Sequence, residues 1–285
     1  MSQLPVKDLS QISEFDGSLN QFIVQATAGT KIMAINVLAN AFVKILASAG
    51  EADSAAGIRN GIYRGKNLGD TLTEAQSQSI RDGVFDDMFI GDYWLINGIH
   101  WRIAAFDYWM GCGDTKCTTH HVVIVPDEQL TTSYMNSTNV TTTAYYNSYM
   151  RQTTIPAVVE TVKSAFSASH ILTIRHYLKN AATNGYETAG AWYDSLVDLM
   201  NEAMVYGGKM FENAVQGTNF AAYYTISKSQ LPLFRLRHDL IVRSYHWWLQ
   251  DVAAAATFAN VNSSGVAHHD NASHVFGVRP AFAIY

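Results

Sequence analysis

FIGDYWLI-NG-IHWRIAAFDY, residues 89–108, decides how the chain is read. A two-residue type I′ turn needs positive φ at both central positions, and Asn97-Gly98 supplies residues that accept it. The flanking runs, Phe89–Ile96 and Ile99–Tyr108, therefore form a hairpin with aromatic faces built from Tyr93, Trp94, Trp101 and Tyr108. Asp86-Asp87, just before it, reads as a strand-entry turn and not as a catalytic dyad. A third strand, His121–Val125, ends at Pro126.

Working outward, Thr73 with Gln76 resembles a capping box, and Gly83 is a plausible stop for the short helix between them. Helices are also expected at Pro156–Ala165, Ile171–Lys179 and Ala191–Met204, the last with Trp192, Leu196, Leu199 and Met200 as its apolar stripe. From Leu231 to Tyr285 the chain is turn-rich and strand-like, with almost no charge after Asp251. Strands, then helices, then strands predict an α+β fold.

Toward the N-terminus, Gln21–Ala26 alternates like a strand and Thr30–Ala34 returns. Asn36 can then cap a helix, VLANAFVKIL, with Val37, Ala41 and Ile45 at four-residue spacing. Residues 47–70 are rich in Ala, Gly and Asp, which marks a linker or hinge. The expected division is 1–46 as a small anchoring and oligomerisation unit, 47–84 as linker and short helix, and 85–285 as the main domain.

Composition narrows the function. The chain has 285 residues and a formal net charge of −5, and no Lys/Arg run appears, so no nucleic-acid partner is expected. Charged residues make up 15% and aromatics 12%, so apolar area is ample and the surface relies on Ser, Thr, Asn and Tyr. The longest apolar stretch, Ile32–Leu46, is broken by Asn36, Asn40 and Lys44, so no membrane insertion is expected. The opening MSQLPVKDLS has no basic start followed by an apolar run, so no secretory signal is read there.

Cys112, Cys117, His120 and His121 form the one metal-like cluster in the sequence. Its C-x4-C-x2-H-H spacing lacks the second ligand set that zinc sites use. A loop with free or bridged cysteines is the favoured reading, so no metal and no cofactor are expected. No Gly-rich phosphate loop, G-x-S-x-G elbow or H-E-x-x-H pair occurs, so no catalytic residue is assigned.

The C-terminal section carries the functional signal. Asn262–Phe276, NSSGVAHHDNASHVF, has neither an apolar period nor helix logic, and mixes small polar, imidazole and aromatic groups. It reads as a loop, and loops on a rigid frame are where binding concentrates. Trp247-Trp248-Leu249 precedes it and Gly277-Val278-Arg279-Pro280-Ala281-Phe282 closes it.

This arrangement resembles the variable proteins of diversity-generating retroelements. The resemblance implies a C-type-lectin-like domain over 85–285. It also implies a tract in which adenines of Asn-type codons are rewritten, which cannot yield Lys, Glu, Gln, Met or Trp. None of those five occurs from Asn262 to Phe276. The segment ISEFDGSLNQFIVQATAGTKIMAINVLANAF is similar to the anchoring segment that opens many phage tail or head fibre proteins.

Together the two resemblances imply a virion protein, a phage receptor-binding fibre or adhesin. Its partners would be a host cell-surface receptor (protein or glycan) and, through residues 1–46, virion structural proteins. The resemblance to fibre proteins, which commonly assemble in threes, also implies a homotrimer, and an N-terminal unit of that size usually needs help to be stable. Tyr245, His246, Ser263, Ser264, Val266, His268, His269, Asp270, His274, Val275 and Phe276 are the expected ligand-binding set. Trp247, Trp248, Gly265, Gly277, Arg279 and Pro280 are expected to be frame.

The Glu-Pro-Asn and Trp-Asn-Asp motifs of calcium-dependent sugar binding are absent. Two rival readings are an enzyme resembling the formylglycine-generating and sulfatase-modifying enzymes, and a purely structural decoration protein.

Overall fold

The structure, a computed structural model, describes residues 55–212 and 229–285. It also describes the backbone of three strands before them, β1 (Phe15–Asp16), β2 (Gln21–Ala26) and β3 (Gly29–Ala34). The chain divides into two compact units, Met1–Ile58 and Arg59–Tyr285. In the first, β1, β2 and β3 form an antiparallel sheet, with β2 and β3 in register from Gln21↔Ala34 to Ala26↔Gly29. The expected helix after Asn36, and with it the Val37, Ala41 and Ile45 face, lies outside the described residues.

The second unit starts earlier than expected. Residues 59–70 are not a linker: Tyr63 bridges to Ile90 and Asn67 to Tyr93 as short parallel pairings. Charge fixes this segment in place. Arg64 pairs with Asp87 at 2.5 Å and with buried Asp92 at 2.6 Å, and Lys66 reaches Asp87 at 2.7 Å. Asp86-Asp87 is thus a strand-entry turn whose second carboxylate is tied down by two cations. Next comes helix α1 (Glu74–Arg81), with Thr73 as N-cap and its capping box with Gln76 complete.

Among the described residues this unit has two five-stranded sheets and a two-stranded ribbon. The first sheet, in the order β10-β15-β6-β5-β4, contains the hairpin of β4 (Tyr93–Ile96) and β5 (Ile99–Phe106). Asn97 and Gly98 join these strands at φ +53° and +76°. Its other strands are β6 (Val122–Pro126), β10 (Val197–Leu199) and β15 (Pro280–Ile284).

Helix α2 (Ile155–Phe166) buries Ile155, Val158, Val162 and Phe166, a stripe at helical spacing. Phe166 meets Trp94, Trp101 and Phe282 at ring separations of 5.6–6.0 Å, which seats the helix end in the aromatic core. The second sheet, in the order β13-β12-β11-β14-β7, holds β7 (Thr131–Ser133), β11 (Trp247–Ala254), β12 (Thr257–Val261), β13 (Ala267–Asn271) and β14 (Phe276–Val278).

Two expected helices are strands. Residues 171–179 contribute to β8 (Ile174–Thr183), and 191–204 contribute to β9 (Tyr186–Ser195), β10 and helix α3 (Glu202–Tyr206). The deciding feature is a second Asn-Gly pair. Asn184 and Gly185 sit at φ +50° and +83° and close a two-residue turn between Thr183 and Tyr186. Gly185 is also needed for close approach, since a Cβ there would lie 2.6 Å from the Ala254–Ala255 backbone. Ile174, His176 and Leu178 are buried while Arg175, Tyr177 and Lys179 are half-exposed, which is the period of a strand.

The two sheets are coupled where strands pass from one to the other. β6 leads into β7, and β14 leads through Arg279 into β15. Arg279 is fully buried, its Nε donating to the Pro126 carbonyl at 2.8 Å and its Nη1 to the Leu240 carbonyl at 3.1 Å. Its guanidinium lies 5.1 Å from the ring centre of Trp247. Burial pushes its pKa down to about 9. Indole and carbonyls offset only part of the desolvation of that cation, whose Nη2 has no hydrogen-bond partner. Helix α4 (Pro232–Leu236) completes the corner, with Phe234 on another side of the same guanidinium.

Candidate functional site

β11, β12 and β13 set out the expected contact set. Trp248 faces Asn260, which faces His268, so these three share one surface of the sheet. His246 and Asp270 lie two residues along from Trp248 and His268, which puts them on that same face. Trp247 and Trp248 are fully buried beneath, and the Trp248 indole donates to the Ser133 carbonyl at 2.9 Å. β13 is an edge strand with half-exposed or exposed side chains, which is why residues 267–271 carry no apolar alternation. The tract read as a loop is therefore this strand between two turns.

Asp270 is the centre of the patch. Its carboxylate lies 3.0 Å from His268 Nδ1, 3.4 Å from His274 Nδ1 and 3.8 Å from His246 Nδ1, and it accepts from Asn260 Nδ2 at 3.1 Å. Phe276 stacks at 4.7 Å on Trp248 and 4.9 Å from His246, with His274 at its edge 5.7 Å away. His246, His268, His274, Asp270 and Phe276 thus form one continuous surface. Asp270 is hydrogen-bonded to His268, so the rotamer freedom of that imidazole is already reduced before any ligand arrives.

The remaining members are placed differently. Asn262 Oδ1 accepts from the Ser264 and Val266 amides at 2.9 and 3.0 Å, with Gly265 at φ +79°, so Ser263, Ser264 and Val266 stand on a tied turn. Val266 and Val275 are 58% and 59% exposed, high for apolar side chains on such a frame. His269 points to the opposite face of the sheet, 4.9 Å from Phe211.

Tyr245 is held back. Its hydroxyl accepts from the Gln129 amide at 2.6 Å and donates to Glu128 at 3.0 Å, and burial pushes its pKa up to about 12. It is a pin under the patch more than an open contact. None of the eleven residues is buried, whereas Trp247, Trp248, Gly277, Arg279 and Pro280 are.

The Cys/His cluster is a structural loop. Cys112 and Cys117 are not joined in a disulfide. His121 is buried, donating from Nδ1 to the Thr119 carbonyl at 2.8 Å and accepting the Trp109 amide on Nε2 at 3.1 Å. That geometry fits a neutral ring, and burial lowers its pKa. His120 turns away to Asp107 at 2.7 Å. Among the described residues no group of three or more His, Cys, Asp or Glu is arranged to hold a metal ion.

One buried group escaped the sequence reading altogether. Glu202 accepts the Met210, Phe211 and Glu212 amides at 2.9–3.0 Å, and Asp251 accepts the Glu202 amide at 2.7 Å. Glu187 lies 3.6 Å from Lys179. Burial raises the Glu187 pKa to about 8 and that of Asp251 well above the carboxylate range. A raised carboxyl keeps its proton in the folded state while the unfolded chain releases it, so stability falls as pH rises from about 4.5 to about 8.

Asp198 works in the opposite sense. Hydrogen-bonded by His176 and ion-paired with Arg151, it is held below its usual range, so its contribution is lost only on acidification. Glu187→Gln should therefore flatten the decline toward pH 8 and add roughly 1–3 kcal/mol there, the scale of an imperfectly compensated buried group. Melts of both proteins at pH 5 and pH 8 check this; equal declines would contradict it.

Fold and site together define an α+β, mostly β protein that presents a His/Phe patch on the edge of a buried-tryptophan frame. The chain belongs to the family described as a domain of unknown function, DUF6273, whose model matches residues 121–285. That span begins at β6 and takes in both sheet crossovers and every patch residue. No curated protein and no solved structure matches the chain. No helix among the described residues is long and apolar enough to cross a membrane.

Proposed function

We propose that this protein is a phage receptor-binding fibre or adhesin whose C-type-lectin-like unit displays a hypervariable ligand-binding patch on the virion. One observation carries the reading: within Asp251–Tyr285, a longer stretch free of Lys, Glu, Gln, Met and Trp, the tract Asn262–Phe276 is the part that forms the exposed edge strand and its two turns. The flanking motifs, Trp247-Trp248 and Gly277 to Pro280, supply the buried frame. Variation at the exposed positions of such an edge leaves core packing largely untouched.

The patch chemistry suits the role. Imidazole and phenyl rings contribute contact area at low conformational cost, and Ser and Asn contribute adaptable hydrogen bonds, as in antibody paratopes. The ligand would be a host cell-surface receptor. Virion attachment through residues 1–46 and a homotrimeric assembly complete the proposal, and light scattering tests the latter.

Deep sequencing of the gene across a phage population tests the reading. Substitutions should concentrate in codons of Asn262–Phe276 and arise at adenines, with an adenine-rich near-copy of the 3′ end beside a reverse-transcriptase gene. Variation spread evenly into β11 and β15, or none in the patch, would contradict it.

A further inference from the structure

An open groove of about 640 Å³ runs between β7 and α2 and shares only Val275 with the patch. That volume lies within the range of small-ligand sites. Two features of its lining stand out. Tyr134 and Tyr149 meet at 4.6 Å between ring centres with an interplanar angle of 38°, and Tyr149 is 41% exposed. Around them the lining is rich in threonine, with Thr131, Thr132 and Thr153 exposed, and it contains no charged side chain.

The walls are firm. Ser133 Oγ is hydrogen-bonded to Thr154 Oγ1 at 2.8 Å, its carbonyl takes the Trp248 indole, and the Met150 amide donates to the Met135 carbonyl at 3.1 Å. These bonds tie the segment after β7 to the start of the helix, so the groove is set before a ligand enters. The strand β7 is only three residues long and its last carbonyl already takes the Trp248 indole, which disfavours an added peptide strand, because that mode needs a run of open backbone groups. An uncharged lining gives no attraction for an anionic ligand. What remains is an aromatic face for flat CH surfaces, bordered by hydroxyls that both donate and accept.

We infer that this groove binds a neutral oligosaccharide, with a pyranose ring laid against the Tyr134–Tyr149 pair and its hydroxyls bonded to the threonines of β7 and α2. The inference stands apart from the display reading, since apart from Val275 it draws on residues outside the variable tract. A groove for a common sugar beside a patch that changes its partner would separate general adhesion from selective recognition.

Calorimetry and saturation-transfer NMR on the full chain test it, with cellohexaose, maltohexaose, chitohexaose and mannohexaose as neutral probes and hexagalacturonate as the acidic one. At least one neutral hexasaccharide should bind. Tyr149→Ala should weaken that binding about tenfold, or about 1.4 kcal/mol, without lowering the melting temperature. Tyr149→Phe should retain most of the affinity, because the ring face persists. The double change His268→Ala with His269→Ala should leave sugar binding unchanged while altering receptor attachment, which keeps the two sites distinguishable. Failure of all four neutral probes, selective binding of hexagalacturonate, or unchanged affinity in Tyr149→Ala would each overturn the inference.

Discussion

Trp247→Ala is expected to cost roughly 3–5 kcal/mol, the range for removing a buried aromatic side chain. The indole is fully buried at the start of β11, where the strand pairs with Val261 on one side and with Gly277 on the other. It also covers the Arg279 guanidinium. Removing it both opens a cavity and withdraws the aromatic face from a buried cation at the point where β14 passes into β15. For a unit of this size each kcal/mol moves the melting temperature by about 2–4 °C, so the loss should be close to 10 °C. A shift below ~2 °C would mean that the crossover is not where the two sheets are held together.

Phe276→Ala should have its largest effect on binding. Its ring touches Trp248 below and His246 and His274 beside it, so among the described residues it is the aromatic side chain that links the buried frame to the exposed histidines. Central aromatic anchors of interfaces are often worth ~2 kcal/mol or more, which is about thirtyfold in affinity for the receptor. Because the ring is partly exposed, the stability cost should be smaller than that of Trp247→Ala, about 1–2 kcal/mol. Tyr245→Ala should divide differently. Its hydroxyl pins Gln129 and Glu128, so part of any binding loss would come from a shifted support.

Turn chemistry and capping are local, and those parts of the fold were legible. Asn97-Gly98 and the Thr73–Gln76 box were readable because each needs only neighbours within a few residues. The same rule applied at Asn184-Gly185, but there the Trp192, Leu196, Leu199 and Met200 spacing suggested a helix. In the structure Trp192 lies on the ribbon strand β9, whereas Leu199 and Met200 are buried at the end of β10.

Long-range pairing was not legible. Nothing in the composition of residues 59–67 says that Arg64 and Lys66 will meet Asp87 and Asp92. The groove and the buried carboxylates draw on segments far apart in sequence, so no spacing pattern encodes them. Frame and patch separate largely by side-chain type, with Trp247, Trp248 and Pro280 inside and the small polar and imidazole residues outside, but buried Arg279 and exposed Val266 and Val275 run against that rule. Within the patch, the clustering of three histidines on Asp270, and the turning of His269 to the other face, depend on strand register and needed the structure.

Paired thermal melts and host-cell binding curves on four variants test the display surface most directly: Trp247→Ala, Phe276→Ala, Tyr245→Ala, and His268→Ala combined with His269→Ala. The histidine pair should change stability by no more than ~0.5 kcal/mol yet weaken attachment, Phe276→Ala should weaken it most for its stability cost, and Trp247→Ala should destabilise most, by roughly 3–5 kcal/mol. If the histidine pair and Phe276→Ala destabilise as much as Trp247→Ala, or if all the folded variants bind cells like the parent, the patch is not a display surface.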